Sequence, residues 1–132
     1  MQPIPEIGRG RNYPYGKPGK HGGQIAYGRG DVQLTWDYNY QRADDELGLK
    51  STLTSNYDRA LETEISPQIM VLGMTEGWFT TRKFSSYLPA KGPATIAQFT
   101  SARRIINGID RAKKVAGYAM SFQAALVAGG WA

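Results

Sequence analysis

The sequence predicts a mainly helical domain with an irregular, glycine-rich N-terminal flank. Four segments after residue 31 place apolar side chains at helical spacing, whereas residues 1–30 hold eight glycines and four prolines. A chain of 132 residues can bury a core without disulfides or metals. We therefore expect one domain over residues 1–132, with a loop region over residues 1–30 and a helical region over residues 31–132.

The N-terminal flank is expected to be an ordered loop. Its glycines and prolines exclude long helices and strands. Large apolar side chains, namely Tyr13, Tyr15, Ile25 and Tyr27, are interleaved with them, and linkers rarely carry so many. A short extended piece from Gln24 to Tyr27 closes this loop.

The first helix is predicted from Trp36 to Leu47, with Thr35 as its N-cap and Gly48 just after its end. Residues 44–46 are acidic and lie at the helix C-terminus, where the helix dipole disfavours negative charge. This mismatch predicts a basic neighbour.

Three further helices follow. Ser66 and Pro67 are typical of an N-cap and a first helical residue, and the helix they begin is predicted to run to Lys83. Its apolar residues lie almost all round, so we expect it to be the central buried helix. The third is predicted over residues 95–106 and the fourth over residues 109–128. The apolar face of the fourth contains Ala112, Val115, Ala119, Phe122 and Leu126.

Composition excludes several classes of protein. There is no cysteine, and no apolar run approaches the ~20 residues of a membrane span. We expect no membrane partner and no signal peptide, so the chain would be cytoplasmic as synthesised and reach a cell wall only after lysis. The single histidine, His21, has no neighbours suited to a catalytic triad or a zinc site, and we expect no metal and no cofactor.

The run from Tyr27 to Trp36, followed by Asp37-Tyr38-Asn39-Tyr40, is the most specific motif. It resembles the signature of family 19 glycoside hydrolases, which are chitinases and related phage and bacterial lysozymes. Residues 74–80 and 104–108 resemble further segments of that family. The resemblance implies the C-terminal part of a lysozyme-like helical fold, cleavage of β-1,4 links next to N-acetylglucosamine, and inversion at the anomeric carbon.

The resemblance also implies a set of functional residues. An inverting enzyme needs one carboxylic acid and one carboxylate base, and Glu6 matches the base. Neutral donors and acceptors suit sugar hydroxyl and acetamido groups, and aromatic rings suit sugar faces. The expected contacts to a peptidoglycan or chitin glycan are Tyr27, Arg29, Gln33, Thr35, Asn39, Asn107 and Lys114.

The catalytic acid of the family lies in a His-Glu-Thr stretch before a segment like residues 1–6. We therefore expect this chain to start just after that acid, which leaves open whether it is an enzyme; Asp31 or Glu76 could replace it. The alternative is an inactive, lysozyme-derived binding protein, such as a phage-encoded inhibitor of a host protein. Homo-oligomers are also compatible with the sequence.

The net charge of +5 is unevenly distributed. Residues 31–66 carry three basic and eight acidic side chains, and both flanking regions are basic. Basic surfaces bind anionic walls, acidic proteins or nucleic acids. We disfavour nucleic acid, whose contacts would be Arg9, Arg11, Lys17, Lys20, Arg103, Arg104, Arg111 and Lys113.

Overall fold

The computed structural model describes residues 2–131, and the expected start at Met1 lies outside the described residues. The prediction of a mainly helical chain is confirmed. The α-helices are α1 (Asp37–Glu46), α2 (Thr52–Ser55), α3 (Ser66–Glu76), α4 (Ile96–Ala102) and α5 (Ala112–Ala128). Short 3₁₀ helices span Pro14–Gly16, Tyr57–Leu61, Phe84–Ser86 and Arg103–Ile105.

The chain divides into two compact units, the first over residues 1–73 and the second over residues 74–132. The boundary falls inside α3, between Gly73 and Met74. The single-domain organisation expected from the length stays a prediction. No helix among residues 2–131 is long and apolar enough to cross a bilayer.

The glycine-rich flank of the first unit is pinned by backbone hydrogen bonds. The N–H of Glu6 donates to the carbonyl of Gly28 at 2.7 Å, and the N–H of Gly30 donates to that of Ile4 at 3.0 Å. Arg29 forms isolated antiparallel bridges with Pro5 and with Leu34. These bonds satisfy backbone groups that no α-helix or strand pairs, and within the described part of the flank the 3₁₀ helix Pro14–Gly16 is the regular element.

A buried arginine organises the core of the first unit. The Arg29 guanidinium donates to the carboxylate of Asp58 at 2.7 Å, to the hydroxyl of Tyr40 at 3.0 Å, and to the carbonyls of Ile25 and Tyr27. Its central carbon also lies 3.5 Å from the ring centroid of Tyr27. Since only 5% of Arg29 is exposed, these contacts replace the water that the charge loses on burial.

Two tyrosines extend this core. The rings of Tyr40 and Tyr57 are stacked with centroids 4.0 Å apart, and both residues are fully buried. The Tyr57 hydroxyl donates to Asp37 at 2.6 Å. Burial raises the pKa of Tyr40 and, together with the bond to Asp37, that of Tyr57 above the usual 10.0. Both hydroxyls therefore remain protonated donors at neutral pH.

Asp44 has helix-terminal N–H groups as hydrogen-bond partners. The sequence predicted a basic neighbour, and Arg59 is close enough that its pKa, raised first by the hydrogen bond to Glu62, is raised further by the charge of Asp44. Its carboxylate is buried and accepts from the N–H groups of Ser51 and Thr54, both at 2.7 Å. These groups lie at the start of α2, whose exposed N–H donors favour a negative charge. The carboxylate at the end of α1 is thus stabilised by the beginning of the next helix.

In the second unit, α4 packs on α5. The side chain of Thr95 accepts from the N–H of Gln98 and so caps α4. Small residues form the contact face, with Ala102, Ala112 and Ala116 all buried. The amide of Gln123 then bonds to both the N–H and the carbonyl of Ala94, at 2.7 and 2.9 Å.

Several predicted helix limits are wrong. Thr35 does not cap α1, because Trp36 is the N-cap residue and no side chain caps the helix. Ser66 is the first residue of α3 and its hydroxyl binds Asp31, so it is not the N-cap. The third helix is α-helical only to Ala102, and the fourth begins at Ala112.

The predicted all-round burial of the second helix is also wrong, and the apolar face of the last helix is largely uncovered. In α3, Val71 is 53% exposed and the fully buried residues are Ser66, Ile69 and Gly73. The predicted apolar face of α5 is mostly open, with Phe122 74% and Leu126 57% exposed. The reason is that α5 uses its narrow alanine face for packing, so the larger side chains beside that face stay outside.

Replacement of Arg29 by alanine is expected to destabilise the protein by about 3 kcal/mol, because it leaves Asp58 and several acceptors without their donor. Chemical denaturation measures the change. Arg59→Ala is the matched control, since this arginine pairs with Glu62 at the surface and its loss should have little effect. Equal effects of the two substitutions would contradict the role given to Arg29.

Stability is expected to fall as the pH rises above 10. The raised pKa values of Tyr40 and Tyr57 mean that the folded protein keeps two protons that the unfolded chain releases near pH 10. Their contribution is complete below that pH and is lost as the pH approaches the folded-state pKa values. Urea midpoints between pH 8 and 11 test this. Tyr57→Phe should flatten the decline, and Tyr38→Phe, at an exposed position, should not.

Candidate functional site

Four aromatic side chains form a continuous row on the first unit, here called the aromatic strip. The rings of Tyr13 and Tyr15 are stacked with centroids 5.1 Å apart. The ring of Tyr15 meets that of Trp36 edge to face at 5.3 Å, and Trp36 stacks on Tyr38 at 6.1 Å. Tyr13 is 56% and Tyr38 66% exposed. Contiguous, partly exposed rings are unusual on a protein surface, so the strip is a candidate binding site.

The two ends of the loop that carries Tyr13 and Tyr15 are in close backbone contact, between Gly10 and Gly16. A Cβ atom on Gly16 would lie 2.0 Å from the carbonyl oxygen of Gly10, so only glycine fits there. Pro14 begins the 3₁₀ helix between them. The loop therefore presents its two rings on a rigid support.

The other half of the strip begins α1. Trp36 has φ 73° and ψ 135°, a conformation that non-glycine residues rarely adopt and that costs about 1–3 kcal/mol. Its N–H donates to the carbonyl of Ala26 at 3.0 Å, and its carbonyl accepts from Asn39 and Tyr40 at the start of the helix. The surrounding structure thus enforces a strained backbone that keeps the indole in the strip, partly exposed.

A pocket of about 390 Å³ adjoins the strip. It is lined by Lys20, His21, Trp36, Asp37, Tyr38 and Gln41. The Asp37 carboxylate is already engaged, since it accepts from the Tyr57 hydroxyl at 2.6 Å and from the N–H of Lys20 at 3.0 Å. Asp37 therefore holds the pocket wall in place and links it to the core.

Glu6 lies next to the strip. Its two carboxylate oxygens accept from the Tyr15 hydroxyl at 3.2 Å and from the N–H of Gly28 at 2.9 Å. Burial and then the neighbouring Glu6 raise the pKa of Tyr15, which keeps this hydroxyl a donor. Each oxygen retains a further lone pair that can accept a hydrogen bond from water or a sugar hydroxyl.

Two residues expected to contact a glycan, Tyr27 and Arg29, are 9% and 5% exposed. The Tyr27 ring lies against the Arg29 guanidinium, and the backbone carbonyl of Tyr27 accepts a hydrogen bond from the Tyr40 hydroxyl at 2.7 Å. Gly30, which follows Arg29, is packed just as closely, since a Cβ atom there would lie 2.6 Å from the carbonyl oxygen of Ala60. The backbone of residues 27–30 thus packs against other parts of the protein, and the described contacts of these residues form part of the core.

Two polar members of the predicted set, Gln33 and Asn39, bind the backbone with their side chains. The Gln33 amide donates to the carbonyls of Ile4 and Gly30, at 2.9 and 3.1 Å. The Asn39 amide donates to the carbonyl of Thr35 at 2.9 Å. Gln33 therefore secures the N-terminal segment that carries Glu6, and Asn39 secures the first turn of α1.

The last two predicted residues, Asn107 and Lys114, belong to the second unit. Both are exposed, and the Lys114 ammonium lies 6.0 Å from the ring centroid of Tyr118. The two carboxylates considered as replacement acids are both hydrogen-bonded: Asp31 accepts from the Ser66 hydroxyl, and Glu76 accepts from the Trp78 indole, each at 2.7 Å. Among residues 2–131, no three His, Cys, Asp or Glu side chains form a metal-binding group.

Sequence reasoning did not identify the aromatic strip as a site. The signal was present, because Tyr13 and Tyr15 alternate in the flank and Trp36 and Tyr38 alternate at the start of the helix. Alternation places two rings on one side of an irregular segment, but only the fold brings the two pairs together. A comparison with protein-family models, curated proteins and solved structures finds no match to this chain.

Proposed function

We propose that the first unit binds a β-1,4-linked, N-acetylglucosamine-containing glycan of the cell wall along the aromatic strip. The observation that carries the proposal is the row of four rings, because flat apolar surfaces with polar edges match the alternating faces and hydroxyls of a sugar chain. The resemblance of residues 27–40 to chitinase-like lysozymes supports the same class of ligand.

The surroundings of the strip support binding of a polar, neutral polymer. Glu6 can accept a hydrogen bond from a sugar hydroxyl. The pocket beside Trp36 is lined by Lys20, whose ammonium is a donor, and by Gln41, whose amide nitrogen donates one hydrogen to Asp45 and has a second to offer. The backbone at Trp36 is strained, and strained residues of this kind are concentrated at binding and active sites. Rings that are already positioned lose little conformational freedom when a sugar binds.

Hydrolysis of that glycan is a second candidate function, favoured by the position of Glu6 beside the strip. In an inverting reaction a carboxylate takes a proton from the attacking water, and a carboxylic acid protonates the leaving oxygen. Glu6, oriented by Tyr15 and Gly28, fits the first role. A sugar leaving group departs slowly without the second, since general acid catalysis contributes about 10²–10⁴ in rate.

Tyr38→Ala is expected to weaken binding of an N-acetylglucosamine tetramer about tenfold, because it removes an exposed ring from the strip. Calorimetry on the full chain measures the affinity. Tyr118→Ala is the matched control, since this tyrosine is 57% exposed on α5, and it should retain the original affinity. An unchanged affinity for Tyr38→Ala would refute glycan binding along the strip.

Glu6→Gln is expected to reduce any clearing of permeabilised cell walls to the buffer background, because an amide cannot take a proton from water. Its affinity for the tetramer should stay within about threefold, because glutamine is nearly isosteric: its carbonyl oxygen can accept from the Gly28 N–H while its NH₂ group donates to the Tyr15 hydroxyl oxygen. Turbidity measures the clearing of cell walls, and calorimetry measures the affinity for the tetramer. Clearing that persists in the variant excludes Glu6 as the base, and wall that neither protein clears excludes hydrolysis.

A further inference from the structure

The second unit is strongly cationic. Residues 74–132 carry eight basic and two acidic side chains, whereas residues 1–73 are nearly balanced, with eight basic and nine acidic. Charge segregation on this scale gives the unit a positive field that attracts anions.

Half of these cations surround one cleft. A concavity of about 550 Å³ lies at the N-terminal end of α5, and its charged lining consists of Arg104, Arg111, Lys113 and Lys114. The hydroxyl-bearing Thr100 and the exposed, apolar Ile109 complete its wall. No carboxylate lines the cleft, so the four charges add.

The four cations repel one another without a described counter-charge. No ion pair joins any of them to a carboxylate within residues 2–131. Their position makes the repulsion worse, because the N-terminus of a helix is itself positive and the first turn of α5 contains no acidic residue. Proteins usually place acidic residues there, so an arrangement that opposes the dipole indicates a ligand that reverses the charge.

We propose that this cationic cleft binds a linear, phosphate-bearing polymer of the cell envelope, such as a chain of glycerol phosphates. Each phosphate can accept from an arginine or lysine in the cleft and from N–H groups at the start of α5. The choice of an envelope polymer rests on the proposed function, because a glycan of the wall and a wall-borne polyanion would meet the same protein.

The composition of the cleft argues against a nucleic acid. Single strands are held by aromatic rings that stack on bases, and no aromatic side chain lines this cleft. A helix that reads a duplex presents polar side chains along a whole face. Beyond Lys114, α5 instead exposes Tyr118, Phe122 and Leu126.

The test uses a fluorescently labelled glycerol phosphate decamer and measures its affinity for the full chain by anisotropy at several salt concentrations. The double substitution Arg104→Gln with Lys113→Gln should weaken binding about tenfold and flatten the dependence on salt, because two phosphate contacts are lost. Arg82→Gln with Lys91→Gln removes the same charge from the same unit outside the cleft. This control should change the affinity less than about twofold.

Equal losses for the two double variants would overturn the proposal, since net charge alone would then explain binding. A 10-base-pair DNA duplex bound more tightly than the decamer would also overturn it. Binding of the N-acetylglucosamine tetramer is measured in parallel. If the Arg104→Gln, Lys113→Gln protein loses the decamer but keeps the tetramer, the cleft stands apart from the glycan site. If the wild-type protein binds only the decamer, the proposed function fails while the cleft remains.

Discussion

The insertion of one guanidinium among three tyrosine rings is the interaction on which the first unit depends. Arg29 lies against Tyr27, bonds to Tyr40 and comes within 5.8 Å of the Tyr57 centroid. Interactions with Tyr40 and Asp58 outweigh the burial that would lower the pKa of this arginine, so its pKa is raised. A buried charge of this kind tolerates few alternatives, because every displaced donor or acceptor would be left unsatisfied.

The aromatic strip follows from this core. Tyr57 connects the stacked tyrosines to Asp37, and Asp37 holds both the loop at Lys20 and the first turn of α1. Glu6 makes the corresponding connection on the other side, since it joins the N-terminal segment to Gly28 and Tyr15. The Tyr15 ring and the backbone that carries Trp36 are therefore held by polar contacts, as a preorganised surface requires.

The two units solve the problem of polar burial in different ways. The first places charged and hydroxyl groups inside and satisfies them, with Arg29, Asp44 and Ser66 all buried and hydrogen-bonded. The second packs α4 and α5 through alanines and leaves its cations and several large apolar side chains outside. The first unit thus presents aromatic rings at its surface, and the second presents a cluster of cations.

The sequence by itself determined the helical class and the approximate place of the main helices, because apolar periodicity and terminal glycines are local properties. An ordered flank stays a prediction of the sequence, based on tyrosines that need a surface on which to pack. Helix limits were less accurate, as at Thr35, where a strained tryptophan takes the cap position. The apolar face of α5 shows a further limit of sequence patterns, because periodicity identifies an apolar face without showing whether anything covers it.

Only the tertiary structure decided which residues form the candidate sites. The motif from Tyr27 to Asn39 looked like a surface for sugar, yet the described contacts of Arg29, Gln33 and Asn39 are with the protein itself. The strip combines two separate segments, the loop of Tyr13 and Tyr15 and the start of α1, whereas the cationic cleft lies within residues 100–114. Assembly of the strip depends on contacts across the first unit such as those of Asp37 and Arg29, and no local pattern encodes the distance between two segments.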